Sequence, residues 1–111
     1  MDNKQKTWLL DIDNAIEEIF QFIKETEDFE SFSNDLKTRK AVERNLEIIG
    51  EAVNRIEKHD DSVKIENSKR IIGTRNRIIH SYDNISVEII WAIVKRELPN
   101  LKLEISKFLE K

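Results

Sequence analysis

The sequence predicts an all-α protein, a bundle of four or five helices arranged up and down. Only two glycines and one proline occur among its 111 residues, and these two residue types are the main breakers of helices. Apolar residues recur at steps of three and four in several long segments, which is the spacing of one buried helix face. A chain of this length is the size of one domain, so we expect residues 1–111 to form a single domain.

The first predicted helix covers about residues 6–27. Residues 28–32 follow as a predicted loop, and Ser33 or Asn34 is then expected to cap the next helix. The apolar face of the first helix consists of Trp8, Ile12, Ala15, Ile16, Ile19 and Ile23.

The second predicted helix covers about residues 35–58 and has an unusually wide apolar sector. A sector of this width indicates contact with more than one neighbour. The helix could be the centre of the bundle, or part of it could face a second subunit, and the sequence leaves both interpretations open. One stripe contains Val42, Leu46, Ile49, Val53 and Ile56, and the other contains Ala41, Ile48 and Ala52.

A polar connection at residues 59–62 leads to a third helix over about residues 66–79, which ends near residues 80–83. Ser86 is the predicted N-cap of a fourth helix, which Pro99 should end or kink. Residues Leu101, Ile105 and Phe108 continue a helical pattern toward the C-terminus. The predicted apolar face of the fourth helix contains Val87, Ile90, Trp91, Val94 and Leu98.

Several classes of protein are excluded or disfavoured by composition. The chain has no cysteine, which excludes disulfides and thiolate metal sites. No apolar run approaches the roughly 18 residues of a membrane span, and residues 1–6 lack the apolar stretch of a secretion signal. We therefore expect a cytoplasmic protein that does not contact a membrane.

The third helix interrupts its own apolar stripes with polar residues. Arg75 falls between Ile71 and Ile78 of one stripe, and Asn76 falls between Ile72 and Ile79 of a second stripe. Polar groups on an apolar face are costly unless they find partners, so a specific role is expected. His80 follows Asn76 by four residues and should be its neighbour. Tyr82 follows Arg75 by seven residues and can share its face if the helix persists.

The same helix carries a local positive charge although the whole chain has a net charge of −3. No acidic residue occurs between residues 67 and 82. Such a patch suits a partner that bears phosphates, and the candidate RNA-binding residues are Lys69, Arg70 and Arg77.

RNA cleavage without a metal needs a base near the 2′-hydroxyl, an acid near the leaving oxygen and a cation near the phosphate. Histidine is suited to proton transfer near neutral pH, and arginine presents a fork of donors to phosphate oxygens. Only two histidines occur, and Asp83 is the only carboxylate near His80 in sequence, so no metal site is expected. An arginine and a histidine at this spacing also arise by chance, and Tyr82 alone would suit packing.

Three segments together resemble one known family. Arg75-x4-His80-x-Tyr82 resembles the Arg-x4-His-x-Tyr signature of the HepT toxins, a HEPN family paired with minimal nucleotidyltransferase (MntA) antitoxins. Residues 39–52 resemble the second helix of that family, including its Ile-Gly-Glu-Ala step. Residues 91–94, followed by Leu98, Pro99 and Leu101, resemble its C-terminal helices. The likeness extends from about residue 5 to residue 110.

The resemblance implies a homodimeric helical bundle with metal-independent endoribonuclease activity and no cofactor of its own. The active site would lie where the two signature helices meet, and the two-fold axis would supply a second His80. Arg75, His80 and Asn76 would be catalytic, and Asn76 matches the polar residue that often follows the arginine. Tyr82 would accept AMP from ATP through the antitoxin, to which the ATP and magnesium would belong.

Two functions remain open at this point. The first is an active toxin ribonuclease. The second is a non-catalytic helical companion, or substrate-binding subunit, of a nucleotidyltransferase. The presence of Arg75, His80 and Tyr82 together favours the toxin.

Overall fold

The computed structural model describes residues 2–80 and 85–110. The fold is all-α, as predicted, and contains no strand within those ranges. The helices are α1 (Asn3–Phe22), α2 (Phe29–Asn34), α3 (Leu36–His59), α4 (Ser68–His80), α5 (Val87–Ala92), a π-helical turn (Ile93–Glu97) and α6 (Leu98–Leu109).

Aspartates begin the first three helices, each accepting a hydrogen bond from a backbone N–H in the first turn. Asp2 accepts from the Gln5 N–H at 2.9 Å, and the Gln5 side chain accepts from the Asp2 N–H at 3.2 Å. This reciprocal pair starts α1 at Asn3, earlier than predicted. The helix also ends earlier than predicted, at Phe22.

The predicted loop at residues 28–32 is wrong, because the six-residue helix α2 begins at Phe29. The Asp28 carboxylate accepts from the Ser31 N–H at 2.8 Å, and Phe32 is fully buried. The cap and this buried ring stabilise a helix too short to show a clear period in sequence. The predicted caps Ser33 and Asn34 are therefore wrong. Asp35 caps α3 by accepting from the Thr38 N–H at 3.0 Å.

Helix α3 is the centre of the bundle and packs against α1, α2 and α4. Its buried residues extend over both predicted stripes, so packing within one chain accounts for much of the wide apolar sector. Asn45 is buried among them and donates to the Ala15 carbonyl at 3.1 Å and the Glu18 carboxylate at 2.9 Å. Ala41 and Ile48 are only half-buried.

The predicted fourth helix corresponds to α5 and the π-helical turn, and the helical pattern predicted beyond Pro99 corresponds to α6. Ser86 stands at the N-cap position of α5, but its hydroxyl donates to the Glu88 carboxylate at 2.6 Å and caps no backbone group. Pro99 lies in the first turn of α6, a position that tolerates its missing N–H,. The break in α-helical geometry therefore precedes the proline. Among the described residues, no helix is both long and apolar enough to span a bilayer.

Candidate active site on helix α4

Helix α4 has one buried side and one open side. Ile71 and Thr74 are buried, and Ile78 is half-buried beside them. The second predicted stripe is not a core face, because Ile79 is 45% exposed. Asn76 is exposed as well. The prediction that Asn76 interrupts a buried face is therefore wrong, since Ile72 packs against the core only in part and Asn76 itself is exposed.

Arg75 lies at the border between these two sides. Its Cβ packs closely against Gly50 of α3. Its Nε is buried and has no hydrogen-bond acceptor among the described residues. Its Nη1 reaches the open side and donates to Oδ1 of Asn76 at 2.7 Å. The base of the side chain is thus held by α3, and the tip is held by Asn76.

Asn76 and His80, which the sequence predicts to be neighbours, both lie on the open side. Both are exposed and four residues apart, one turn of the helix,. His80 is the last residue of α4. The arrangement combines a guanidinium, an amide that orients it and an imidazole on one accessible surface. Tyr82, and with it the predicted sharing of a face with Arg75, lies outside the described residues.

The basic patch is weaker than the sequence suggests. Lys69, Arg70 and Arg77 are all exposed, but Nε of Arg70 lies 3.0 Å from the Glu97 carboxylate. Glu97 is distant in sequence and is brought beside α4 by the fold. Lys69 and Arg77 form no ion pair with any residue in the described part of the chain. They are the cations of this patch best placed to meet a phosphate.

Within residues 2–80 and 85–110, no group of three histidine, aspartate or glutamate side chains is close enough to hold a metal ion. Asp83, the carboxylate nearest to His80 in sequence, lies outside those ranges. The absence of a metal site therefore stays a prediction.

Arg75, Asn76 and His80 lie on an open helix surface. A cavity of about 290 Å³ occurs elsewhere, lined by α2, α5 and the π-helical turn. Its lining includes Trp91, whose ring lies 5.3 Å from Nζ of Lys95. The three α4 residues do not line this cavity.

Gly50 is a site residue that the sequence did not identify, although it lies in the Ile-Gly-Glu-Ala step. The structure places it directly against Arg75. A glycine inside the apolar stripe of a long helix was the available signal, because glycine costs about 1 kcal/mol relative to alanine there.

Comparisons with known proteins agree on one family. The family model described as "Ribonuclease HepT-like" matches residues 12–108. A Thermococcus cleftensis protein named as a probable ribonuclease HepT is 39% identical over 108 residues, covering 96% of this chain and 97% of that protein. A Methanocaldococcus jannaschii protein with a provisional RNase name is 38% identical over 102 residues, covering 90% of this chain and 92% of the relative.

The fold has a counterpart among solved structures. A chain in a crystal structure of a toxin–antitoxin with AMP-PNP aligns with a TM-score of 0.75 at 18% identity. The alignment covers 99% of this chain and 100% of that chain. At this level of identity the likeness concerns the fold alone.

Proposed function

Because the chain belongs to the HepT-like ribonuclease family, we propose that it is a metal-independent endoribonuclease and the toxin of a toxin–antitoxin pair. The observation that carries the proposal is the hydrogen bond from Arg75 to Asn76 on the helix face that also exposes His80. This arrangement presents a phosphate-binding cation and a proton-transfer group to the same ligand.

The proposed reaction uses the 2′-hydroxyl of the RNA as the nucleophile. A neutral His80 takes the hydroxyl proton while the 2′-oxygen forms a bond to phosphorus. The bond from phosphorus to the 5′-oxygen breaks, and a protonated histidine gives its proton to that leaving oxygen. Arg75 stabilises the negative charge that develops on the phosphate oxygens. The products are a 2′,3′-cyclic phosphate and a 5′-hydroxyl.

The reaction needs two proton-transfer groups, and one chain supplies one histidine on α4. We propose that two copies meet at this helix and that each contributes His80. The open side supports this arrangement, because Ile79 is 45% exposed there. An exposed apolar side chain beside the proposed site offers a contact to a second copy of the helix.

We further propose that a nucleotidyltransferase antitoxin silences the site by adding AMP to Tyr82. Tyr82 follows His80 by two residues in sequence. An added phosphate would compete with RNA for Arg75, because both present the same oxygen atoms to a guanidinium. The solved toxin–antitoxin contains AMP-PNP, an ATP analogue, which supports a nucleotide-dependent partner for this chain.

The test is cleavage of RNA by the purified chain in the presence of EDTA. The chain has two histidines, so His80→Ala has a matched control in His59→Ala, on the exposed end of α3. We expect the wild type and His59→Ala to cleave RNA, and His80→Ala to lose roughly 100-fold or more. A folded wild type that leaves RNA intact while binding a nucleotidyltransferase would indicate the non-catalytic companion instead.

A further inference from the structure

The central helix of the bundle, α3, contains a glycine that packs against helix α4. Gly50 is buried in α3, and a Cβ added there would overlap Cβ of Arg75. The same added atom would lie 3.0 Å from Cγ of Arg75 and 3.2 Å from the carbonyl oxygen of Ile71. Gly50 therefore lies against the turn of α4 that carries Arg75.

We propose that Gly50 is a positioning residue for the ribonuclease reaction, because its missing side chain lets α4 approach α3 closely enough to hold Arg75 in its working position. The effect of Gly50 on catalysis rests on the proposed function. The contact itself rests on the geometry of the two helices alone.

The overlap cannot be relieved by rotating the arginine side chain. The position of Cβ is fixed by the backbone, so changing the rotamer of Arg75 does not move it. The carbonyl of Ile71 is also a backbone group, and in an α-helix it accepts from the N–H of residue 75. Any side chain at position 50 must therefore displace the α4 backbone at this turn.

Such a displacement would be transmitted to the guanidinium. Nε of Arg75 is buried, and Nη1 donates to Asn76 at 2.7 Å. The side chain thus runs from a tight contact at its base to a defined hydrogen bond at its tip. Moving the base changes where the fork of N–H donors points. Errors of about 1 Å in the position of a catalytic group can cost on the order of 100-fold in rate.

The presence of glycine here is otherwise unfavourable. Glycine is the poorest helix former after proline, and position 50 lies in the interior of the 24-residue helix α3,. For the other glycine, Gly73, no described residue outside α4 has an atom within 4 Å of the place where a Cβ would lie. Of the two glycines, Gly50 is the one whose lack of a side chain is required by contacts within this chain.

The first test is an activity cycle with Gly50→Ala, Arg75→Ala and the double variant. In wild type, Gly50→Ala should lower the cleavage rate by roughly 10- to 100-fold. In the Arg75→Ala background the same change should cost less than about threefold, because the group it positions is gone. If cleavage by Arg75→Ala is too slow to detect over many turnovers, the cycle is measured with enzyme in excess over RNA.

The control for a general loss of stability is Ile12→Val. Ile12 is fully buried in α1, and its shortening weakens the core without adding an atom beside α4. We expect this variant to melt at a lower temperature and to cleave RNA within about twofold of wild type, assayed well below its melting temperature.

The second test measures the contact without using activity. Gly50→Ala should lower the melting temperature by roughly 5–10 °C in wild type. In an Arg75→Gly background, which removes the overlapping Cβ, the same change should lower it by about half as much or less. If Gly50→Ala alone fails to fold, recovery of a cooperative transition in the Gly50→Ala/Arg75→Gly variant supports the contact.

The outcomes test the positioning role of Gly50 and its contact with Arg75 separately. Equal losses of activity from Gly50→Ala in both backgrounds, or a Gly50→Ala variant as active as wild type, would overturn the positioning role. Equal melting shifts in both backgrounds would overturn the contact. A wild-type chain without ribonuclease activity would instead contradict the proposed function, and the melting cycle would still decide whether Gly50 and Arg75 are coupled.

Discussion

Nη1 of Arg75 donates a hydrogen bond of 2.7 Å to Oδ1 of Asn76, the next residue in sequence. Adjacent residues on an α-helix point in directions about 100° apart, so they do not usually face each other. The arginine reaches from the border of the core toward the open side, where the asparagine meets it. The hydrogen bond therefore holds the guanidinium beside Asn76 on the open side of α4.

The first prediction concerns this hydrogen bond. Asn76→Ala should lower the rate of RNA cleavage by about 10-fold, because the guanidinium loses one orienting acceptor. Arg75→Ala should lower it more, by roughly 100-fold or greater, since it removes about 3 kcal/mol of charge stabilisation. Both losses are measured as changes in the single-turnover rate of RNA cleavage. An Asn76→Ala loss equal to or larger than that of Arg75→Ala would point to a direct role for the amide.

The second prediction concerns the proposed dimer. Wild type should be dimeric, and Ile79→Glu, which places a charge on the open side of α4, should be monomeric and should lose cleavage. Leu103→Glu on α6 is the matched control, since Leu103 is 64% exposed, and it should remain dimeric and active. Light scattering at micromolar concentration gives the mass. A wild-type protein found only at 13.2 kDa, or an Ile79→Glu variant that stays dimeric and active, would contradict the α4 interface.

The third prediction concerns RNA binding by the exposed cations. Lys69→Ala and Arg77→Ala should each weaken binding of a single-stranded RNA and reduce the salt slope by about 0.7 for each phosphate that is no longer neutralised. Arg70→Ala should have a smaller effect, because Arg70 is already paired with Glu97. Fluorescence anisotropy at several salt concentrations measures the slope. A slope reduced more by Arg70→Ala than by the other two changes would argue against this assignment.

The sequence predicted those features that depend on residues near one another in the chain. The long helices, the buried Ile71 stripe and the separation of Asn76 and His80 by one helical turn all follow from spacing along one helix. The pairing of Arg70 with Glu97 could not be predicted in this way, because it joins residues from separate helices. Helix α2 was missed because six residues are too few to establish a period, and a cap at Asp28 decides its start.

The contact of Gly50 with Arg75 also joins two separate helices, and only part of it could be predicted from the sequence. A glycine within an apolar stripe indicates that something approaches closely, but the stripe does not identify the partner. That identity depends on how α3 and α4 pack, which is a property of the folded chain. The sequence therefore identified Arg75 as a site residue, but it did not identify Gly50, against which Arg75 packs.

The fourth prediction concerns control through Tyr82. Coexpression with the cognate nucleotidyltransferase, or incubation with it, ATP and magnesium, should add AMP units to Tyr82 and abolish RNA cleavage. Tyr82→Phe should retain some nuclease activity and escape this modification, because the phenol oxygen that accepts AMP is absent. Intact-mass spectrometry measures the added mass. A Tyr82→Phe protein that gains the same mass as wild type would place the modification elsewhere.

The chemistry of the cleaved ends tests the central claim most directly. A defined oligoribonucleotide is incubated with the purified wild-type chain in EDTA, and the products are analysed by mass spectrometry. The proposed mechanism predicts fragments that end in a 2′,3′-cyclic phosphate and a 5′-hydroxyl. It also predicts no cleavage at a position whose 2′-hydroxyl is replaced by hydrogen. Fragments with a 3′-hydroxyl and a 5′-phosphate, or cleavage that disappears with EDTA and returns with a divalent metal, would contradict the mechanism.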